Sequence, residues 1–221
     1  MPQSLTSSRP WMGSKRYRGI TMIFIEDGEA ARTTTLLTDL IPRAHPKALA
    51  RVLDLPIDPR ILRAVASSRR LLRRWSELLQ DAAGLAPSVE HDDTPLLRSM
   101  LRGSLAELDA VARIAGACLA REEIRRTILG SEVAQLRHRH GDDAYAAALA
   151  WEGGVPMISN ATGWDAMDAW IATREPALQS YLALRRPQEV GDHSVWTTAS
   201  PEEILDYAAG RLGMAPSAVA A

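Results

Sequence analysis

One stretch restricts the possible folds more than any other, because residues 104–120 are apolar around nearly the whole circumference of a helix. Ser104 and Glu107 have the spacing of a capping box, in which each side chain accepts a hydrogen bond from the other residue's backbone N–H. Between Ser104 and Ala120 only Glu107, Asp109 and Arg113 are charged. Other elements must cover such a helix on most sides. The stretch therefore predicts a central helix within a bundle.

Further helices are predicted from residue 30 onward by their own start and stop signals. Asp58 and Pro59 suit the cap and first position of a helix that we expect to continue unbroken to Ala83, before a left-handed stop at Gly84. Ser200, with Glu203, predicts a capping box that begins the last helix. The remaining helices are predicted at 94–101, 121–129, 132–139, 143–151 and 164–186, the last broken at Glu175-Pro176, with a loop at 188–199.

These elements predict an all-α, compact single-domain helical bundle over residues 21–213. Residues 1–20 are rich in Ser, Pro, Gly and basic side chains without periodicity, so we expect a disordered segment there. The Ala-rich residues 214–221 are predicted to be a frayed tail. The apolar run at 20–25 is compatible with one short strand, for which the sequence offers no obvious partner.

Composition excludes several classes of protein. Hydrophobic residues make up 46% of the chain and charged residues 24%, which is ordinary for a globular domain with a substantial core. The formal net charge of −1 argues against a protein that coats nucleic acid. No apolar run approaches the roughly 20 residues of a membrane-spanning helix, and no signal-peptide cleavage site follows the run at 20–25. We therefore expect a cytoplasmic protein without direct membrane insertion.

Cysteine and histidine provide the only candidates for metal or nucleophile chemistry, and each has a structural interpretation. Cys118 lies in an apolar run, which favours a buried, inert thiol, and one cysteine makes no zinc site. On a helix His138 and His140 point to different faces, so we interpret them as a polar helix end, followed by a stop at Gly141 and a cap at Asp142.

The pair His91-Asp92, with His45 upstream, is the only arrangement similar to that of an enzyme family, the HD-type phosphohydrolases. In those enzymes the pair lies inside packed helices. Here it is predicted to lie in a loop that leads to a helix cap at Thr94. No phosphate loop, dinucleotide fingerprint or nucleophile elbow is present. We therefore expect no catalytic residue, no bound metal and no cofactor, and keep a metal-dependent hydrolase as the alternative.

A cluster of four arginines is the candidate binding site. Arg69, Arg70, Arg73 and Arg74 lie opposite the apolar stripe of the predicted helix, with Glu77 placed one turn after Arg73. Two interpretations stay open at this point: a solvated helix face, or a surface whose planar guanidinium groups grip an acidic partner.

Three segments, in order, resemble the SctK family of bacterial type III secretion proteins, whose members are also called YscK, OrgA or MxiK. Residues 120–136 (AREEIRRTILGSEVAQL) are similar to the family's central stretch. Residues 170–187 resemble its aromatic-rich helix, Glu-Pro break and following helix, and residues 45–56 resemble its N-terminal region more weakly. The resemblance covers roughly residues 40–190.

The resemblance implies a non-catalytic adaptor in the sorting platform of the injectisome, at the cytoplasmic face of the inner membrane. The expected partners are the cytoplasmic domain of the SctD-type inner-membrane ring protein and the SctQ-type pod protein, which assembles with SctL and the ATPase. A helical chaperone or regulator of the same export system is a second binding hypothesis with the same composition.

Overall fold

The computed structural model describes residues 32–154, 162–187 and 200–214. In this part of the chain it contains twelve α-helices, one short 3₁₀ helix and two strands, which confirms the mainly helical fold. None of the helices in these ranges is both long and apolar enough to cross a membrane. The predictions for residues 1–20, 20–25, 188–199 and 215–221 lie outside the described residues.

The elements follow one another with short connections. In chain order they are β1 Arg32–Leu36, α1 Leu37–Leu40, a 3₁₀ helix Ile41–Arg43, α2 Pro46–Leu53, α3 Pro59–Ala66, α4 Arg69–Ala83, β2 Ser88–Asp92, α5 Pro95–Arg102, α6 Leu105–Leu119, α7 Arg121–Arg126, α8 Gly130–His140, α9 Asp142–Ala150, α10 Gly163–Ala172, α11 Pro176–Ala183 and α12 Pro201–Arg211.

Helix α6 is the centre of the bundle, as its sequence predicts. It packs against α9, α10 and α12, and seven of its residues are buried. The predicted capping box forms at its start: Ser104 N donates to Glu107 Oε2 at 2.6 Å, and Glu107 N donates to Ser104 Oγ at 3.2 Å. The other predicted capping box does not form, because Ser200 makes no side-chain cap hydrogen bond before α12.

Two glycines bring α6 and α10 unusually close together. A Cβ atom added at Gly163 would overlap the backbone carbonyl of Ala112, and one added at Gly116 would lie 3.0 Å from the backbone nitrogen of Gly163. Because only glycine leaves this space, the two backbones can approach each other. The crossing fixes α10 on the central helix.

From residue 30 onward the sequence predicts only helices and connecting loops, and the structure adds two strands that were not predicted. Strands β1 and β2 pair antiparallel, with Arg32 opposite Asp92 and Leu36 opposite Ser88. Their pairing depends on a contact between segments more than fifty residues apart, which no local pattern in the sequence indicates. Leu37 N continues the connection between the same two segments by donating to the carbonyl of Pro87 at 3.0 Å.

The single helix predicted over residues 58–83 is also wrong, because the structure has two helices there. Asp58 caps α3 as predicted, since its Oδ1 accepts a hydrogen bond from Arg60 N at 2.7 Å. Helix α3 then ends, and Ser68 adopts an extended conformation and caps α4 through Leu71 N. Serine favours such a cap over a helix interior because its hydroxyl competes for backbone groups. Gly84 ends α4 in the left-handed conformation, as predicted.

The helices form two regions. Helices α1–α4 and the 3₁₀ helix pack mainly on one another and form the N-terminal region, whereas α5–α12 form the C-terminal bundle. In this bundle five helices pack on α6, namely α7, α8, α9, α10 and α12, while α5 packs on α12 and α11 on α10. Hydrogen bonds connect the regions: His45 N donates to the carbonyl of Leu184 at 2.7 Å, and Tyr181 Oη donates to the carbonyl of Ala86 at 2.8 Å. One hydrophobic core runs through both.

Candidate partner-binding surface

The four predicted arginines occupy the first, second, fifth and sixth positions of α4. At about 100° per residue they fall within one sector of about 140° around the helix axis. All four are exposed, and the buried Leu79 lies about 80° outside this sector. The structure therefore brings Arg69, Arg70, Arg73 and Arg74 together on one surface, which we call the basic face of α4.

Within the part of the chain that the structure describes, few acidic groups neutralise the basic face. The Arg73 and Arg74 side chains are 84% and 67% exposed, and both contact Glu77, with Arg73 Nε to Oε1 at 3.3 Å and Arg74 Nη1 to Oε2 at 3.2 Å. Among the described residues the structure shows no ion pair of Arg69 or Arg70. Exposed pairs of this kind contribute at most about 1 kcal/mol. Most of the positive charge faces solvent.

The positions of the four arginines are electrostatically unfavourable for helix α4. Arg69 with Arg73, and Arg70 with Arg74, are like charges one turn apart, which destabilise a helix. The first turn also contains no acidic residue, although the positive end of the helix dipole favours one. The first turn of α4 therefore gains no electrostatic stability from the cluster.

The surrounding elements strengthen the positive field. Residues 43–76 contain nine basic residues against two acidic ones, a formal charge of +7 in a chain whose net charge is −1. Most of this segment forms the mutually packed 3₁₀ helix, α2, α3 and α4. With Asp39, Glu77 and Asp81 included, residues 37–83, which contain α1–α4, have nine basic and five acidic residues and a formal charge of +4. A net positive charge of this kind steers and orients association with acidic molecules.

Two buried arginines are important sites that the sequence predictions missed. Arg185 donates hydrogen bonds from Nε to the carbonyl of Met100 at 3.1 Å and from its two terminal nitrogens to the carbonyls of Arg43 and Gly103. Burial lowers the pKa of Arg185 to about 10. Arg43 belongs to the N-terminal region, whereas Met100 and Gly103 belong to the C-terminal bundle. The hydrogen bonds of Arg185 therefore connect the two regions.

Arg186 has a different partner. It forms a buried ion pair with Asp168, and its guanidinium lies 5.8 Å from the centre of the Trp164 ring. Burial lowers the pKa of Arg186, and the charge of Asp168 opposes that shift. The adjacent cavity, lined mainly by apolar side chains, has a volume of about 10 Å³, roughly the space of one water molecule. A cavity of this size does not hold a substrate. We therefore interpret the Arg186–Asp168 ion pair as part of the packed core.

His91 does not lie in the predicted loop. It belongs to β2 and is buried, with Nε2 2.9 Å from Thr35 Oγ1 and Nδ1 3.0 Å from the carbonyl oxygen of Asp92. The neighbouring Asp93 instead contacts Arg98, whose hydrogen bond lowers the pKa of that carboxyl. Both ring nitrogens of His91 therefore make hydrogen-bond contacts within the two-stranded sheet.

The second histidine pair lies at the end of α8, as predicted. Burial lowers the pKa of His140, and Gly141 follows with a positive φ of 85°. Asp142 is not the predicted cap: it is the first residue of α9, and its Oδ1 accepts a hydrogen bond from Arg137 Nε at 2.6 Å. In the described part of the chain no three His, Cys, Asp or Glu side chains are grouped to hold a metal ion.

Cys118 is fully buried in α6, as predicted. Burial raises the pKa of its thiol to about 12, so the thiolate that nucleophilic chemistry requires is scarce at neutral pH.

Comparison with known proteins gives no match to a family model, a curated protein or a solved structure.

Proposed function

We propose that the protein is a non-catalytic helical adaptor of a bacterial type III secretion system that binds an acidic partner through the basic face of α4. The observation that carries the binding role is the crowding of four exposed arginines at the beginning of α4, where they destabilise their own helix. The assignment to type III secretion is supported by the three segments that resemble the SctK family.

An adaptor needs two separate contact surfaces, and the resembling segment 120–136 supplies a second. It corresponds to α7, the beginning of α8 and the connection between them. In that connection Ile128 is 89% exposed, and the adjacent Leu129 is exposed as well. These helices pack on α6 and α9, whereas α4 packs on α1, α2 and α3. In this proposal the two surfaces bind the SctQ-type pod protein and the SctD-type ring domain, one each.

Co-purification tests the proposal. The tagged chain is co-expressed with the SctQ-type protein and with the cytoplasmic domain of the SctD-type protein of the same bacterium, separately and together. We expect a complex with each and a ternary complex with both, measured by size-exclusion chromatography with light scattering. Association with neither protein contradicts the proposal. Capture of an exported substrate instead indicates the chaperone hypothesis.

The hydrolase alternative receives no support from the geometry. His91 is engaged with Thr35 and with the backbone of its own strand. Phosphatase assays with added Mg²⁺ or Mn²⁺ nevertheless distinguish the hydrolase from the adaptor. Turnover by the chain that is lost in a His91→Ala variant contradicts the adaptor assignment.

A further inference from the structure

Helix α4 carries two parallel apolar stripes that are offset by one residue. The first stripe faces the core at Leu72, Ser76 and Leu79 and ends at Ala83, which is exposed. Leu79 and Ser76 are buried, and Leu72 packs against the core. The second follows the same four-three-four spacing one residue earlier along the helix and contains Leu71, Trp75, Leu78 and Ala82.

The second stripe is only partly covered. Trp75 is half-buried against the core, but Leu71 and Leu78 remain 42% and 38% exposed, and Ala82 is exposed too. Apolar residues at alternating spacings of four and three form the seam along which two helices pack side by side. The spacing therefore fits a helical occupant better than a loop or an extended strand.

The outer border of the second stripe is charged, and its sign changes along the helix. Arg70, Arg74, Glu77 and Asp81 repeat the same spacing one position before the apolar residues. Positive charge therefore flanks the first half of the stripe, and negative charge flanks the second half. In paired helices such flanking charges select the partner and its direction.

We infer that α4 docks an amphipathic helix of the protein partner, whose apolar side covers Leu71 and Leu78. Acidic residues of that helix contact Arg70 and Arg74, and basic residues contact Glu77 and Asp81. An anionic membrane surface fits this border less well, because half of the border is acidic. The inference rests on the proposed function, since it specifies what the basic face of α4 binds.

Overlapping peptides that tile the SctQ-type protein and the SctD-type cytoplasmic domain provide the probe, with binding to the intact chain followed by fluorescence anisotropy. We expect a peptide with an apolar stripe and a charge reversal along its length to bind and to gain helicity in circular dichroism. The double change Leu71→Ser and Leu78→Ser weakens its binding at least about tenfold, because it removes the apolar surface that the docked helix covers.

A matched control separates this surface from general hydrophobicity. Leu149 of α9 is exposed to the same extent, 43%, and Leu149→Ser leaves binding unchanged. Arg74→Glu weakens binding of the peptide, and replacing the facing acidic residue of the peptide by lysine restores it. Unfolding midpoints of all variants verify that they fold.

Each outcome decides the inference. If the full-length partners bind but the double leucine change has no effect, the helix-docking inference fails and the adaptor proposal stands. If neither partner binds, both fail. If the leucine change instead abolishes a dimer of the chain, or binding to vesicles containing anionic lipid, the occupant is a second copy or a membrane and the inference fails.

Discussion

Helices α4 and α6 are both fifteen residues long, yet they have opposite relations to the rest of the molecule. Seven residues of α6 are buried, against two of α4. The charges of α6 are few, and its Glu107 caps the helix, whereas α4 begins with four arginines that oppose its dipole. The central helix determines the fold, and the peripheral one has a surface that folding does not require.

The largest expected difference between the two helices comes from placing the same carboxylate in each. Val111→Asp buries a charge beside fully covered neighbours in α6, so we expect a loss of at least about 4 kcal/mol or failure to fold. Leu71→Asp on α4 changes the free energy of unfolding by less than about 1 kcal/mol. Urea denaturation measures both. Similar losses for the two variants contradict the distinction between a structural and a binding helix.

The next largest effect concerns the connection between the two regions. Arg185→Met leaves the carbonyls of Arg43, Met100 and Gly103 without their donor. We expect a loss of about 3 kcal/mol, because each buried acceptor without a partner costs about 1 kcal/mol or more. Arg126→Met, at an arginine 82% exposed, is the control and changes little. An unfolding midpoint unaffected by Arg185→Met shows that the core alone joins the regions.

A smaller effect on the free energy of unfolding comes from one histidine in each region. Burial lowers the pKa of His45 in the N-terminal region and of His140 in the C-terminal bundle below the ordinary value of 6.5. The unfolded chain therefore binds more protons, and stability falls as the pH decreases from about 7 through the lowered pKa values. We expect His45→Asn, which keeps a cap acceptor for Lys47 N, and His140→Gln to reduce the slope between pH 7 and 5.

These pH-dependent slopes are measured as urea midpoints across the range. The combined variant tests the assignment, because a fall in stability of the same size in that variant means that other groups titrate.

The smallest expected effect on stability has the opposite sign. Arg69→Glu with Arg70→Glu places acidic groups in the first turn of α4 and removes like-charge neighbours, so we expect a gain of about 0.5 kcal/mol at low salt. Thermal unfolding at low and high salt measures it, and salt reduces the gain. A loss of stability shows that the arginines support the fold, which contradicts their assignment to binding.

Local signals predicted the beginnings of several helices correctly. Asp58, Thr94 and Ser104 each cap the helix that follows, because a cap depends only on residues within one turn. Ser68 shows the limit of such signals. From its position in the apolar stripe, Ser68 was predicted to lie inside one long helix. In the structure its hydroxyl caps the second of two helices.

Features that depend on distant segments were not predictable in this way. Strands β1 and β2 pair across the whole N-terminal region, and nothing near Arg32 or His91 indicates the partner. Arg185 has the appearance of a surface residue in the sequence, and its role depends on three carbonyls that only the folded chain brings together. The arginine cluster was predictable as a surface, because four charges within six residues cannot be buried; that it binds a partner stays a prediction.

Reversing two charges of the basic face tests the central claim most directly. Arg70→Glu with Arg74→Glu is compared with Arg211→Glu, a change at an exposed arginine of α12 that lies outside both proposed surfaces, in association with the SctQ-type protein and the SctD-type domain by isothermal titration calorimetry. We predict that the double variant loses at least about tenfold in affinity for one of the two proteins, keeps the other, and folds normally, while the control retains both. Undiminished affinity for both proteins in the double variant contradicts the claim that α4 is a binding surface.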